Sequence, residues 1–176
     1  MVLDNLIKLA DCTVKTRVGD GNPVIRDITC DSRRAKTGDL FVAIPGTKAQ
    51  GDAFIADALA RGAVAIVSES APRGFMIPWI QVDNTRRSLG LIGRAFWGVD
   101  IDKLQMAGIT GTNGKTTTAH LFKKLFEQRF GIEAAWMFGT IDYQLGSKRR
   151  AAARTTPESL DIFRHIGTVQ SMFSVL

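Results

Sequence analysis

Lys115 and Thr116 close a short glycine-bounded run, Thr110-Gly111-Thr112-Asn113-Gly114-Lys115-Thr116, the densest concentration of chemistry-bearing residues in this 176-residue chain. The glycines let backbone N–H groups turn inward on an anion, and a helix beginning at the lysine adds its positive end. Lys115 could then reach the β- and γ-phosphates of a nucleotide as a point charge, and the Thr116 hydroxyl could ligate Mg²⁺. The strict phosphate-loop pattern asks for glycine five residues before Gly114, where Ile109 stands, and Gly108 comes one place too early. The run is therefore a variant loop. Its competing reading is a glycine-rich turn that leads into a helix with a solvated lysine. The position between a strand pattern and a helix pattern favours the phosphate loop.

Such a loop must be held between two elements. Leu104, Met106, Ala107 and Ile109 predict a buried parallel strand in front of it. Behind it, residues 116–130 predict a helix with Leu121, Phe122, Leu125 and Phe126 turned inward and Gly131 as the stop. Residues 132–138 and 140–145 read as strands, and a helix follows Thr155-Thr156-Pro157, with Thr156 as cap and Pro157 at its first position. The last twelve residues show no clear pattern.

The first hundred residues alternate in the same way. A short helix opens the chain with Leu3, Leu6, Ile7 and Ala10 on one face, and a strand runs from Val24 to Thr29. A polar loop follows, Cys30-Asp31-Ser32-Arg33-Arg34, and then the apolar strand 40–44. Asp52 is expected to cap a helix burying Phe54, Ile55, Ala58 and Leu59, closed by Gly62. Residues 63–67 and 77–82 are further strands, with Pro78 favouring an edge or a strand start. Asp83 or Asn84 caps a helix that buries Leu89, Ile92, Gly93, Phe96 and Trp97. Strands alternating with helices predict an α/β class. The polar stretch 98–103 separates a domain at 1–100 from another at 101–176.

Composition bounds the function. Apolar residues make up 45% and charged residues 23%, ordinary values for a globular protein. No apolar run of about 18 residues suggests a membrane span, and the N-terminus lacks the layout of a signal peptide. Cys12 and Cys30 stand apart, with neither disulfide nor zinc spacing, so a reducing cytoplasm is expected. His120 and His165 are equally isolated. Net charge is +6, from 23 Lys+Arg against 17 Asp+Glu. The basic cluster Lys148-Arg149-Arg150 with Arg154 has no aromatic interleaving and reads as a solvated loop, or as attraction for small polyanions rather than nucleic acid.

The loop GITGTNGKTTT resembles the ATP loop of the Mur ligases, the ATP-dependent amide-forming enzymes of peptidoglycan precursor synthesis. Folylpolyglutamate synthase carries a related loop but does not begin with a domain like residues 1–100. The matching words in that domain are ITCDSRRAKTGDLFVAIPGTKAQGDAFI and DALARGAVAIVSE. After the loop, Gly139-Thr140-Ile141-Asp142-Tyr143 and Thr155-Thr156-Pro157-Glu158-Ser159 are similar to the branch that adds the third stem residue, with the branch completing the pentapeptide as the nearest alternative. The resemblance implies a small N-terminal α/β domain for a uridine nucleotide sugar, followed by an incomplete phosphate-loop, parallel-sheet ATPase domain.

Carried across by position, the resemblance implies that Cys30, Ser32, Thr47, Lys48 and Ala49 line the uridine diphosphate pocket. Gly111, Thr112, Asn113, Gly114, Lys115, Thr116 and Thr117 would hold ATP, with Thr116 on Mg²⁺ and Lys115 as the catalytic cation. Arg154, Thr155 and Thr156 would hold the muramoyl-peptide end. ATP and Mg²⁺ are the implied cofactors. The implied partners are UDP-MurNAc-dipeptide, ATP and a diamino acid, either diaminopimelate or lysine, acting on a cytoplasmic monomer that engages neither nucleic acid nor membrane. The implied reaction passes through an acyl phosphate. The family has glycine where Asp142 stands. Its acidic Mg²⁺-ligand region, its carboxylated lysine, its amino-acid-selecting motif and its C-terminal domain are not found here, so a truncated ligase, inactive alone, is expected. Two other classes compete with an enzyme: a non-catalytic uridine nucleotide-sugar module, and a basic phosphate-loop protein acting on nucleic acid.

Overall fold

The computed structural model describes residues 1–46, 51–72, 74, 76–152 and 157–173, with side chains to residue 168 in the final helix. The elements run α1 (Leu3–Ala10), β1 (Val14–Val18), β2 (Asp27–Thr29), β3 (Asp39–Val42), α2 (Ile55–Ala60), β4 (Ala65–Ser68), β5 (Trp79–Val82) and α3 (Thr85–Phe96). Then come α4 (Lys115–Phe130), β6 (Trp136–Phe138), β7 (Asp142–Leu145), β8 (Lys148–Ala151) and α5 (Ser159–Phe173). Two compact units result: Met1–Val99 together with α5, and Asp100–Glu158. The α/β class holds.

In the first unit a five-stranded sheet has the order β1-β5-β4-β3-β2. β2, β3, β4 and β5 are parallel, and β1 closes one edge antiparallel to β5. Both faces of the inner strands are buried, which explains their near-continuous apolar runs. Leu40, Val42, Ala65, Val67, Ile80 and Val82 face a core shared with Leu3 and Leu6 of α1, Leu89 and Ile92 of α3 and Leu160 of α5. Phe41, Ile66 and Trp79 alternate to the opposite face, against Ile55 and Ala58 of α2. Pro78 stands just before β5, and its carbonyl accepts the Ile66 N–H at 3.0 Å, so this proline marks a strand start and not an edge. The edge on that side is β1, whose exposed, partly charged sequence carries too little apolar signal to be read in advance.

Asn84 is the α3 cap: its side-chain oxygen accepts the Arg87 N–H at 2.8 Å. Asn84→Ala is expected to cost about 1 kcal/mol, measured as a shift in the urea midpoint with an unchanged slope. Phe54, expected inside, is 44% exposed, because a single 3₁₀ turn at Gly51–Phe54 precedes α2 and rotates it outward. α5, placed by the sequence reading in the second domain, packs on α3 instead. Its Ser159, Leu160 and Phe163 lie against Gly90 and Gly93, where the missing side chains leave room.

The second unit departs further from expectation. Residues 104–110 form no strand and are largely exposed; among the described residues no strand offers them a parallel partner. The described sheet is antiparallel, β6-β7-β8. Lys148-Arg149-Arg150 lie in β8, not in a loop, joined to β7 across a two-residue turn that starts with Gly146 at φ +62°. Glycine at the first turn position suits the twist of such a hairpin. Along α4 the expected inward face is reversed. Leu121, Phe122 and Leu125 are exposed and Phe126 is half-buried, while Lys123 is buried and paired with Glu127. Among the described residues that apolar stripe stays uncovered, and the hydrogen-bonded pair takes the sheltered side.

Candidate phosphate loop and the strand-end crevice

Gly114 is the residue immediately before α4 and sits in the left-handed region at φ +75°. A side chain there would be strained. The first helical hydrogen bond is donated by the Thr118 N–H to the Gly114 carbonyl, at 2.9 Å. The amides of Lys115, Thr116 and Thr117 therefore precede the helical ladder and are not consumed by it. The Lys115 ammonium folds back over the loop, donating to the Gly111 carbonyl and to that of Thr112 at 3.2 Å. Residues 110–117 are exposed. The structure thus gathers Gly111, Thr112, Asn113, Gly114, Lys115, Thr116 and Thr117 into one accessible turn, with free donors, a cation and the positive end of a sixteen-residue helix. An anion of phosphate type fits it, and the Thr116 hydroxyl in the first turn is available to a cation bridging such phosphates.

The second group of candidates leaves the carboxyl ends of the parallel strands. In open α/β sheets ligands bind in the crevice outside those ends. β2 and β3 are neighbours, so residues 30–34 and 43–46 depart from the same end, side by side. Cys30 and Ser32 lie in the first of these loops. Ser32 is 5% exposed at the start of a 3₁₀ turn. Its hydroxyl and the Arg61 guanidinium both hold the Asp57 carboxyl below the usual carboxylate range. Asp57 is a partner that sequence spacing alone does not reveal. Gly51, at the far end of the second loop, lies so close to Ala43 and Ile44 that a side chain would strike their backbone. Asp52 accepts the Ser68 hydroxyl at 2.6 Å, tying the Gly51–Phe54 turn to the end of β4. Thr47, Lys48 and Ala49 lie outside the described residues, as do Arg154, Thr155 and Thr156.

Asp31 caps the turn and takes Arg33 on both carboxylate oxygens, at 2.9 and 2.7 Å. That hydrogen-bonded guanidinium holds its carboxyl below the usual range. A depressed folded-state value contributes stability that is present at neutral pH and lost as pH falls through the folded value. Asp31→Asn is therefore expected to melt at a lower temperature than the unaltered chain at pH 7, and the gap should close only as the pH falls below the depressed value of the folded Asp31 carboxyl, followed by circular dichroism. Elsewhere, Asp142 is buried and accepts from Gln144 at 3.1 Å and from Arg149, so the carboxylate is provided for within its own hairpin. Neither cysteine is in a disulfide, and burial pushes the Cys12 thiol up. No helix among the described residues is long and apolar enough to cross a membrane.

A family profile described as "Mur ligase family, catalytic domain" matches residues 24–97, and one described as "Mur ligase middle domain" matches residues 109–172. The chain is 49% identical over 141 residues to the UDP-N-acetylmuramoyl-L-alanyl-D-glutamate–2,6-diaminopimelate ligase of Solibacter usitatus (strain Ellin6076), covering 80% of this chain and 28% of that protein. It is 42% identical over 165 residues to the protein of the same name from Geobacter sulfurreducens, covering 92% and 31% respectively. A solved structure bearing that name superposes with a TM-score of 0.70 over 98% of this chain and 34% of the other; at 21% identity it speaks for the fold. The chain spans about a third or less of the length of these relatives.

Proposed function

Because the chain belongs to the Mur ligase family, we propose that it serves ATP-dependent amide-bond formation in peptidoglycan precursor synthesis, at the step that joins diaminopimelate to UDP-N-acetylmuramoyl-L-alanyl-D-glutamate. The choice of step is supported by the names of the relatives matched at 49% and 42% identity. In this reading the two units divide the ligands. The crevice at the carboxyl ends of β2 and β3, with Cys30 and Ser32, takes the uridine diphosphate part, and Thr47, Lys48 and Ala49 belong to the same pocket. Arg154, Thr155 and Thr156 take the muramoyl-peptide end. Gly111 to Thr117 take the ATP phosphates, and Thr116 takes Mg²⁺. Bound ATP supplies the phosphoryl group that activates the acceptor carboxylate.

What this chain's own residues contribute is placement and charge. The Lys115 ammonium, already resting on the loop carbonyls, is a positive group within reach of an anion in the turn. The orphan amides at the start of α4 face the same anion, and such donors need no reorganisation as charge develops. The observation that carries the reading is this lysine-covered turn at a left-handed glycine, in a chain matched by both family profiles. A cytoplasmic, monomeric protein is part of the proposal.

Calorimetric titration of the 176-residue chain with UDP-N-acetylmuramoyl-L-alanyl-D-glutamate, and separately with Mg-ATP, tests it. Saturable binding of each ligand, the first displaced by UDP and the second by ADP, is the expected result. If neither nucleotide binds, the proposal is wrong. If only the uridine ligand binds, with no ATP-dependent phosphate release in any mixture, a non-catalytic nucleotide-sugar module replaces it.

A further inference from the structure

Asp27 and Asp39 are register partners at the first positions of β2 and β3, so two carboxylates begin neighbouring parallel strands side by side. Like charges across a strand pair repel, and Asp39 is buried. One balancing donor is local, the Lys36 N–H at 2.9 Å from Asp39. A cation comes from 137 residues further along the chain. Arg164 of α5 places Nη2 at 3.0 and 3.2 Å from the two Asp27 oxygens and at 3.0 Å from the Ile28 carbonyl. The same guanidinium stands 5.3 Å from the centroid of the Trp97 ring, the residue that ends α3. One side chain thus engages a carboxylate, a backbone carbonyl and an aromatic face on two different elements.

The contacts along α3 also fix the direction of α5. Ser159 lies against Gly90, Leu160 and Phe163 against Gly93, and Gly167 against Trp97, so both helices ascend together and run parallel. α3 begins three residues after β5 ends, at the carboxyl ends of the parallel strands. The first turn of α5 therefore points to the end of the sheet where the Cys30–Ser32 loop departs, and Arg164 sits towards the opposite end, where β2 begins. Contact on Asp27 confirms that polarity independently. Although α5 lies inside the stretch matched by the middle-domain profile, its packing belongs to the first unit.

We propose that Arg164 is a positioning residue: by joining Asp27 and Ile28 to Trp97 it sets the axial register of α5 on α3, and so fixes the start of α5 at the ligand end of the five-stranded sheet. The identity of that ligand, a uridine nucleotide sugar, rests on the reading given above; the setting of the helix does not. Gly167 leaves the contact no slack, since any side chain there would collide with Trp97. A helix held by close backbone approach slides as a body, and a polar anchor with fixed partners distinguishes one register from the next.

The test uses the full 176-residue chain with Arg164→Gln, Arg164→Lys, Asp27→Asn and the Asp27→Asn/Arg164→Gln double variant. Hydrogen–deuterium exchange is read on α5, α1 and β3, and affinity is measured for UDP-N-acetylmuramoyl-L-alanyl-D-glutamate and for Mg-ATP. Arg164→Gln should speed α5 exchange about tenfold, as expected for loss of a charge-assisted hydrogen bond, and leave α1 and β3 unchanged. Arg164→Lys should restore only part, since the stacking of the planar guanidinium on Trp97 is lost. The double variant should be no worse than Arg164→Gln, because the two residues act as one unit. Uridine-ligand affinity should fall severalfold while ATP affinity stays. Unchanged α5 exchange, an equal rise in α1 and β3, or additive effects in the double variant would each overturn the inference. Should Arg164→Gln not fold, Asp27→Asn carries the same comparison. Failure of the unaltered chain to bind the uridine ligand would instead sink the ligand assignment, and exchange would still decide the role of Arg164.

Discussion

Alanine in place of Phe41 is expected to lower the stability of the first unit by about 3–5 kcal/mol. Phe41 is 1% exposed on β3, flanked by β2 and β4, with its ring on the α2 side of the sheet. Truncation removes its transfer free energy and leaves a void. Collapse into that void is poor, because Ala35, Ala43, Ala58 and Ala63 supply much of the surrounding wall and have no side-chain length to extend. Domains of this size are stable by only about 5–15 kcal/mol, so the loss would leave a substantial unfolded fraction under mild urea. Equilibrium urea unfolding followed by far-ultraviolet circular dichroism measures it. Leu9→Ala, at a position 64% exposed, is the control and should stay within about 0.5 kcal/mol. A Phe41→Ala loss no larger than that control would mean that this face of the sheet is not packed as described.

The second large effect is expected at Lys115. Lys115→Ala should weaken Mg-ATP binding by roughly 10- to 100-fold, the equivalent of one charge-assisted hydrogen bond to phosphate. Folding should barely change, since the side chain is exposed and touches only loop carbonyls. That separation matters: a fall in ATP affinity without a fall in melting temperature assigns the lysine to the ligand. Lys115→Arg keeps the charge but replaces a compact ammonium with a planar fork, so only partial recovery is expected. Calorimetry against Mg-ATP gives the answer, with the uridine ligand as an internal control. Equal ATP affinity in all three proteins would remove Lys115 from the site.

The first unit was largely legible because its signals were redundant. Leu40, Phe41 and Val42 form an unbroken apolar run between turn residues, and every residue of β3 is buried, so neither face could be misassigned. Leu3, Leu6 and Ala10 recur at helical spacing and are the buried residues of α1. The turn at 110–117 was legible as a motif because glycine at 114 meets a left-handed backbone and Lys115 folds onto the loop carbonyls. The second unit was less readable for a physical reason. Leu104, Met106, Leu121 and Leu125 have the pattern of buried residues, but pattern specifies a face and not a partner. Among the described residues, 104–110 form no strand and stay largely exposed, and α4 shelters its Lys123–Glu127 pair instead. Asp57 and Arg164 went unread because their partners, Ser32 and Asp27, are joined to them only by the tertiary fold.

β8 ends the three-stranded sheet, and all four of its residues, Lys148, Arg149, Arg150 and Ala151, are exposed. An open strand of this kind is a template on which another chain can zip. Three consecutive cations change that outcome. A second copy pairing its own β8 on this one would have to bring Lys148 and Arg150 against their counterparts, so β8-to-β8 stacking is discouraged. The basic run thereby guards this edge against its own double.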